Sequence, residues 1–198
     1  MKLKTLLLPL TLAFGFTAFG QNNWKLTKDK DGIRVYESEA KNSGIKNIKV
    51  ECTVDGTCDK MRYILTNVSQ YKNWVYSNKT AYLLKQVTPT EYYYYAETSV
   101  PWPLSNRDAV VHTRVSQNAR SLQVTEMMEP NYLPEKSGKV RVPKALVTWT
   151  VTPVTSRTIH IVYVFDAEPG GNIPAWLVNT LSDKGPTESF KKLRELLK

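Results

Sequence analysis

Apolar residues along this chain fall into short alternating runs, and helical spacing is confined to one early segment and the C-terminus. Ile48, Val50, Cys52 and Val54 alternate strictly with their neighbours, the period of a half-buried strand. Gly32 to Tyr36 reads as an earlier strand opened by Asp31-Gly32. Asp55-Gly56-Thr57 ends the second strand and offers caps for a helix carrying Met61, Ile64, Leu65 and Val68. Trp74 follows on a short connection. Tyr92–Glu97, Ala109–Val115, Leu122–Met127, Ala145–Val151 and Ile159–Phe165 then have strand length and β-rich composition. Ile173-Pro174 opens a last helix through Trp176, Leu177 and Leu181. Gly185-Pro186 interrupts it, and Phe190, Leu193 and Leu197 continue its apolar stripe. This order predicts an antiparallel sheet whose apolar face must be covered. The C-terminal helix is the available cover, with a cavity between the two.

The segment Pro101-Trp102-Pro103-Leu104-Ser105-Asn106-Arg107-Asp108 carries the most specific information. Two prolines a residue apart cannot sit inside a central strand, because neither donates to a ladder and both fix φ. The octet is therefore a rigid lead-in that aims the strand beginning at Ala109, with Trp102 and the Arg107/Asp108 pair as candidate anchors. Residue by residue it resembles the Pro-Trp-Pro-Leu-Ser-Asn-Arg-Asp signature of the START (steroidogenic-acute-regulatory-related lipid transfer) domain family. The resemblance extends through Trp24–Tyr36, Trp74 and Gly170–Asn179. It implies an α+β helix-grip fold, in which a curved antiparallel β-sheet wraps a long C-terminal helix around an internal hydrophobic tunnel. It also implies a lipid-binding role without a cofactor.

Alternation nominates the residues that face such a tunnel. Val111 and Thr113 share a face with Ala109 and Val115, Tyr163 with Ile161 and Phe165, and Trp149 with Val147 and Val151. In the run Tyr92–Tyr95 two rings must face inward and two outward. Tyr93 and Tyr95 are assigned to the ligand side, although an all-tyrosine run leaves the opposite pairing open. Inward phenols would offer a polar handle on an apolar wall. Glu126 lies on the alternation of Leu122 and Val124, and Trp176 lies on the last helix. Sterol-handling START proteins commonly place an acid and a base deep in the tunnel. Counted from Arg107-Asp108, the basic position falls at Thr113 and the acidic one in the tyrosine run, so a sterol ligand is not implied. Glu126 and Arg141 are candidate substitutes, an exposed rim pair being the other reading. The irregular stretch Met128–Lys139 carries Tyr132 and Leu133 at its centre. The family resemblance makes it a lid beside the terminal helix, and a plain surface loop is the alternative.

Catalysis finds little support in the sequence. His112 and His160 both fall on the strand alternates opposite the apolar face, and no nucleophile, metal-ligand or phosphate-loop motif occurs. Glu126 is the candidate acid for one alternative, a cyclase-like enzyme on the same fold; the other is a ligand-free protein whose cavity is filled with side chains and which acts only through partners. Cys52 and Cys58 can form a short disulfide loop or remain unpaired, and do not make a zinc site.

Lys2 and Lys4 precede an apolar core, Leu6–Phe16, and Ala18-Phe19-Gly20 supplies small residues for cleavage before Gln21. The expectation is an exported, periplasmic or extracellular protein with a signal peptide at 1–20 and one lipid-binding domain at 21–198. The net charge of +9 is spread along the chain rather than clustered with stacking aromatics, which argues against nucleic acid. The expected partner is a lipid or another hydrophobic small molecule, with transient membrane contact and a monomeric state.

Overall fold

The computed structural model describes residues 23–39, 46–168 and 184–198. Its sheet has ten strands in the order β1-β2-β3-β10-β9-β7-β6-β5-β4, and β8 pairs with β6 off this path. The strands are β1 (Lys25–Lys30), β2 (Ile33–Glu39), β3 (Lys46–Asp55), β4 (Asn78–Thr88) and β5 (Glu91–Thr98). They continue with β6 (Asn106–Gln117), β7 (Leu122–Met128), β8 (Lys139–Arg141), β9 (Lys144–Pro153) and β10 (Thr158–Glu168). All pairings are antiparallel except β6 with β8.

The seven expected strands are present, joined by three that the alternation did not reveal. β1 reads Lys-Leu-Thr-Lys-Asp-Lys and lies at one sheet edge, where lysines discourage pairing with another chain. Asp31 and Gly32 join it to β2 with φ of 55° and 74°. Positive φ at both positions gives a primed hairpin turn, whose twist matches that of the strands. β4 forms the other edge and is largely exposed, so its sequence alternates weakly.

Helix α1 (Cys58–Thr66) begins where Thr57 accepts a hydrogen bond from the Lys60 N–H at 3.2 Å, and it buries Met61, Ile64 and Leu65. A single 3₁₀ turn, Val68–Gln70, leads into the short helix α2 (Tyr71–Trp74). Helix α3 (Gly185–Leu197) places Pro186 in its first turn, where its missing N–H costs nothing. Its buried stripe is Thr187, Phe190, Leu193 and Leu197. Truncating Phe190, stacked 5.7 Å from Trp149, would cost about 3–5 kcal/mol at such a site. At the C-terminal end of α3, Leu197 closes on Gly56, whose φ is +147°. A Cβ there would stand 3.1 Å from Leu197 Cδ2, so glycine is required by both backbone and packing.

The core of the described residues therefore lies between one face of the sheet and helices α1, α2 and α3. The helical run expected over Ile173–Leu181, and the proposed signal peptide, fall outside the described residues.

Candidate functional site

Register decides which side chains meet on the covered face. Tyr94 pairs with Val111 and Tyr92 with Thr113; Thr113 pairs with Glu126 and Glu126 with Val147. Trp149 pairs with Tyr163 and Tyr163 with Val50. Directly opposed residues share a face, so these form one inner wall, and Val111, Thr113, Glu126, Trp149 and Tyr163 lie on it. Trp176 lies outside the described residues.

Tyr93 and Tyr95 do not lie on that wall. The inner face of β6 is its odd-numbered alternate, Ala109 to Val115, and antiparallel register sets the even tyrosines against it. Tyr92 and Tyr94 are the inward pair. Tyr93 stacks instead on His112 at 4.4 Å and on Tyr132 at 4.5 Å. Tyr95 is buried on the outer side, stacked on Tyr82 at 5.0 Å, with the Lys136 ammonium 3.8 Å from its ring.

A polar cluster interrupts the inner wall. The Tyr94 hydroxyl donates to Glu126 Oε1 at 2.8 Å, and the Tyr92 and Tyr71 hydroxyls donate to the Leu65 carbonyl. Burial pushes the Glu126 carboxyl above its usual range, and hydrogen bonding from Tyr94 and Trp149 pulls part of that shift back. Burial, then the neighbouring Glu126 charge, raises Tyr71, Tyr92, Tyr94 and Tyr163, so all four are neutral phenols at physiological pH. The fully buried Thr113 hydroxyl lies beside Tyr92, but it and the Trp74 indole N–H make no hydrogen bond among the described residues. Around this cluster stands an aromatic wall. Trp149 is 4.5 Å from Tyr163 and 6.3 Å from Trp74, and Tyr71 meets both Trp74 and Tyr94 edge-on at 5.5 Å.

Arg141 is not the partner of Glu126. It forms a two-pronged pair with Asp108 on the outer side, Nε to Oδ1 and Nη2 to Oδ2, both at 3.0 Å. Its remaining N–H groups donate to the carbonyls of Pro130, Leu133 and Pro134. The loop holding Tyr132 and Leu133 is thus fastened over the outside of β5 and β6, rather than beside the terminal helix as the resemblance implied. Tyr132 rests on Tyr93, and Leu133 is half-buried. His112 is outward by register yet buried beneath Tyr93, with Nε2 2.7 Å from Glu91. His160 faces outward and meets Thr53 at 3.1 Å.

The octet forms a tight turn at the end of the sheet where α3 begins. Leu104 N–H donates to the Pro101 carbonyl, and Ser99 N–H donates to Ser77 beside β4. Asn106 accepts from Val100 N–H and donates to Glu97, closing the turn. Burial alone would raise Glu97, but hydrogen bonds from Lys139, Asn106 and Lys79 bring it down to about 2. Trp102 is no anchor: it projects from the turn, 90% exposed. Asp108 is one, through Arg141. Arg107 is buried and has neither Asp108 nor any other acid as partner among the described residues. Cys52 and Cys58 are both free thiols. Burial pushes Cys52 up to about 12, which leaves it unreactive. Among the described residues no group of His, Cys, Asp and Glu is arranged to hold a metal, and no helix is long and apolar enough to cross a membrane.

The START domain family model matches residues 17–198. The chain belongs to the START domain family. An uncharacterized protein of Pseudomonas aeruginosa is 30% identical over 173 residues, spanning 87% of this chain and 85% of that protein. The phosphatidylcholine transfer protein of Mus musculus is 26% identical over 179 residues, with 86% and 82% covered. Among solved structures, the STAR-related lipid transfer protein from Xanthomonas axonopodis superimposes with a TM-score of 0.80 at 34% identity, over 88% of this chain and 98% of that one. Human StAR-related lipid transfer protein 5, at 18% identity and a TM-score of 0.76, covers 88% and 86% and shares the fold. The architecture is the helix-grip fold.

Proposed function

We propose that this chain is exported and binds one hydrophobic ligand, a lipid, between the inner sheet face and its helices, for sequestration or transfer. The observation that carries this reading is the inner wall itself: aromatic and aliphatic side chains across adjacent strands from β2 to β5, broken by a polar cluster around Tyr94 and Glu126. An apolar wall retains an acyl chain with about 0.8 kcal/mol per buried methylene. A few convergent polar groups then orient the ligand. The phosphatidylcholine transfer proteins and lipid transfer structure among its relatives support the same class of ligand. The exposed Trp102, at the end where α3 begins, provides a point of membrane contact. Export rests on the basic-apolar-small order of residues 1–20, and N-terminal sequencing of the secreted or periplasmic protein should begin at Gln21.

Mass spectrometry of gently purified protein under native conditions tests the binding reading, with a co-purifying lipid at one per chain expected. Protein that emerges empty and takes up no lipid from vesicles overturns it. Glu126 favours one second reading, because a buried acid with a raised carboxyl is what a cyclase-like enzyme on this fold would use. Turnover of a linear polyketide to a cyclic product by empty protein, abolished in E126Q, would establish that reading instead.

A further inference from the structure

We propose that Arg107 is an anion-anchoring residue that receives the phosphate or carboxylate oxygens of an amphiphile bound on the inner face. This extends the lipid-binding reading and rests on it. Arg107 pairs with Thr98 and Val140 and lies on the alternation of Ala109, Val111, Thr113 and Val115, which is the inner face of β6. It is only 7% exposed. Its Nη1 donates to the Ser105 carbonyl at 2.7 Å, its Nε is buried without a partner, and no carboxylate is paired with it among the described residues.

The contrast with Arg141 shows how unusual that is. Both guanidiniums are buried near the start of β6. Arg141 has two carboxylate contacts and three carbonyls, whereas Arg107 has one carbonyl. Asp108 cannot serve both, because adjacent strand residues face opposite ways and both its oxygens are taken by Arg141. A guanidinium does not lose its proton at any accessible pH, so Arg107 is a buried charge lacking a counter-charge among the described residues. Burial disfavours that charge, with nothing opposing it. Such a group persists in a fold when something outside the chain completes it, and the planar fork of arginine matches phosphate and carboxylate oxygens.

Arg107 also stands in the right place for a head group. It is at the end of β6 where α3 begins, and Thr113, beside Glu126, is six positions further along the same strand. That separation is roughly 20 Å of strand, comparable with an extended acyl chain. An anionic head at Arg107 and an uncharged tail end near Tyr94 and Glu126 would thus occupy one continuous face.

Vesicle extraction of fluorescent lipids with matched acyl chains tests the proposal, using phosphatidylcholine, a free fatty acid and diacylglycerol. Wild-type protein should retain one or both of the first two over diacylglycerol, and which of them it prefers tells phosphate from carboxylate. R107Q should weaken that retention by about ten-fold or more while leaving diacylglycerol within about two-fold. Empty R107Q should melt no lower than wild type, since it removes an uncompensated charge. R107K, which keeps the charge without the fork, should fall between the two and decides the matter if R107Q does not fold. Wild type that retains all three lipids equally overturns the proposal, as does R107Q or R107K losing them equally with a lowered melting temperature. Wild type that extracts none of the three overturns the lipid-binding reading beneath it.

Discussion

The Tyr94 hydroxyl donates to Glu126 Oε1 at 2.8 Å across strands β5 and β7, which are separated by β6. This bond sets a polar point in an apolar wall, and its partners have opposite relationships to pH. A phenol raised by burial stays protonated, whereas a carboxyl raised by burial titrates nearer to neutrality.

Because the folded-state carboxyl of Glu126 is raised above its ordinary 4.5, folding favours the protonated form. The stability it contributes is complete below pH 4.5 and is lost as pH rises through the folded value. E126Q keeps an acceptor for Tyr94 and cannot ionise. The melting-temperature difference, E126Q minus wild type, should therefore grow in favour of E126Q as pH rises above 4.5. A difference that does not change with pH would show that Glu126 stays ionised in the fold.

Asp108 and Arg141 should behave as a structural unit. D108N leaves the Arg141 guanidinium buried with carbonyls alone, and a broken buried pair costs about 3–5 kcal/mol. Urea denaturation measures this directly. A loss below about 1 kcal/mol would mean that the carbonyls of the 130–134 loop suffice.

Leu133→Asp addresses the loop that the sequence suggested as a lid. Leu133 is half-buried on the outer side, held through its carbonyl by Arg141. The substitution should lower stability by about 1–2 kcal/mol and leave lipid exchange with vesicles unchanged within about two-fold. Markedly faster exchange at unchanged melting temperature would restore the lid reading.

Trp102→Ala separates membrane contact from folding. A residue so exposed should change stability by no more than about 0.5 kcal/mol. Wild-type indole fluorescence should shift to the blue on adding vesicles, and W102A should lose most of that shift and exchange lipid several-fold more slowly. An identical shift in both proteins would place the contact elsewhere.

Much of the inner wall is legible in the amino-acid sequence. Strict alternation at Ile48–Val54 is a local signal with a period of two residues, and burial of one face enforces it; β6 is buried on both faces from Arg107 to Thr113, so its signal is weaker. The octet, through its likeness to a known family, points to the architecture. Edge strands β1 and β4 carry little signal because water wets most of their surface.

What remained for tertiary structure were choices between equivalent local options. Four consecutive tyrosines contain no alternation, so only the register of β5 against β6 turned Tyr92 and Tyr94 inward. Arg107 and Asp108 are neighbours in the chain and look like a pair. The strand pleat sends them to opposite faces, and Asp108 finds Arg141, distant in sequence, where β8 lies parallel to β6. Composition along the chain thus determined which residues share a face. Which face is buried, and which charge finds its partner there, depended on contacts between segments far apart in sequence, and local periodicity carries no record of those.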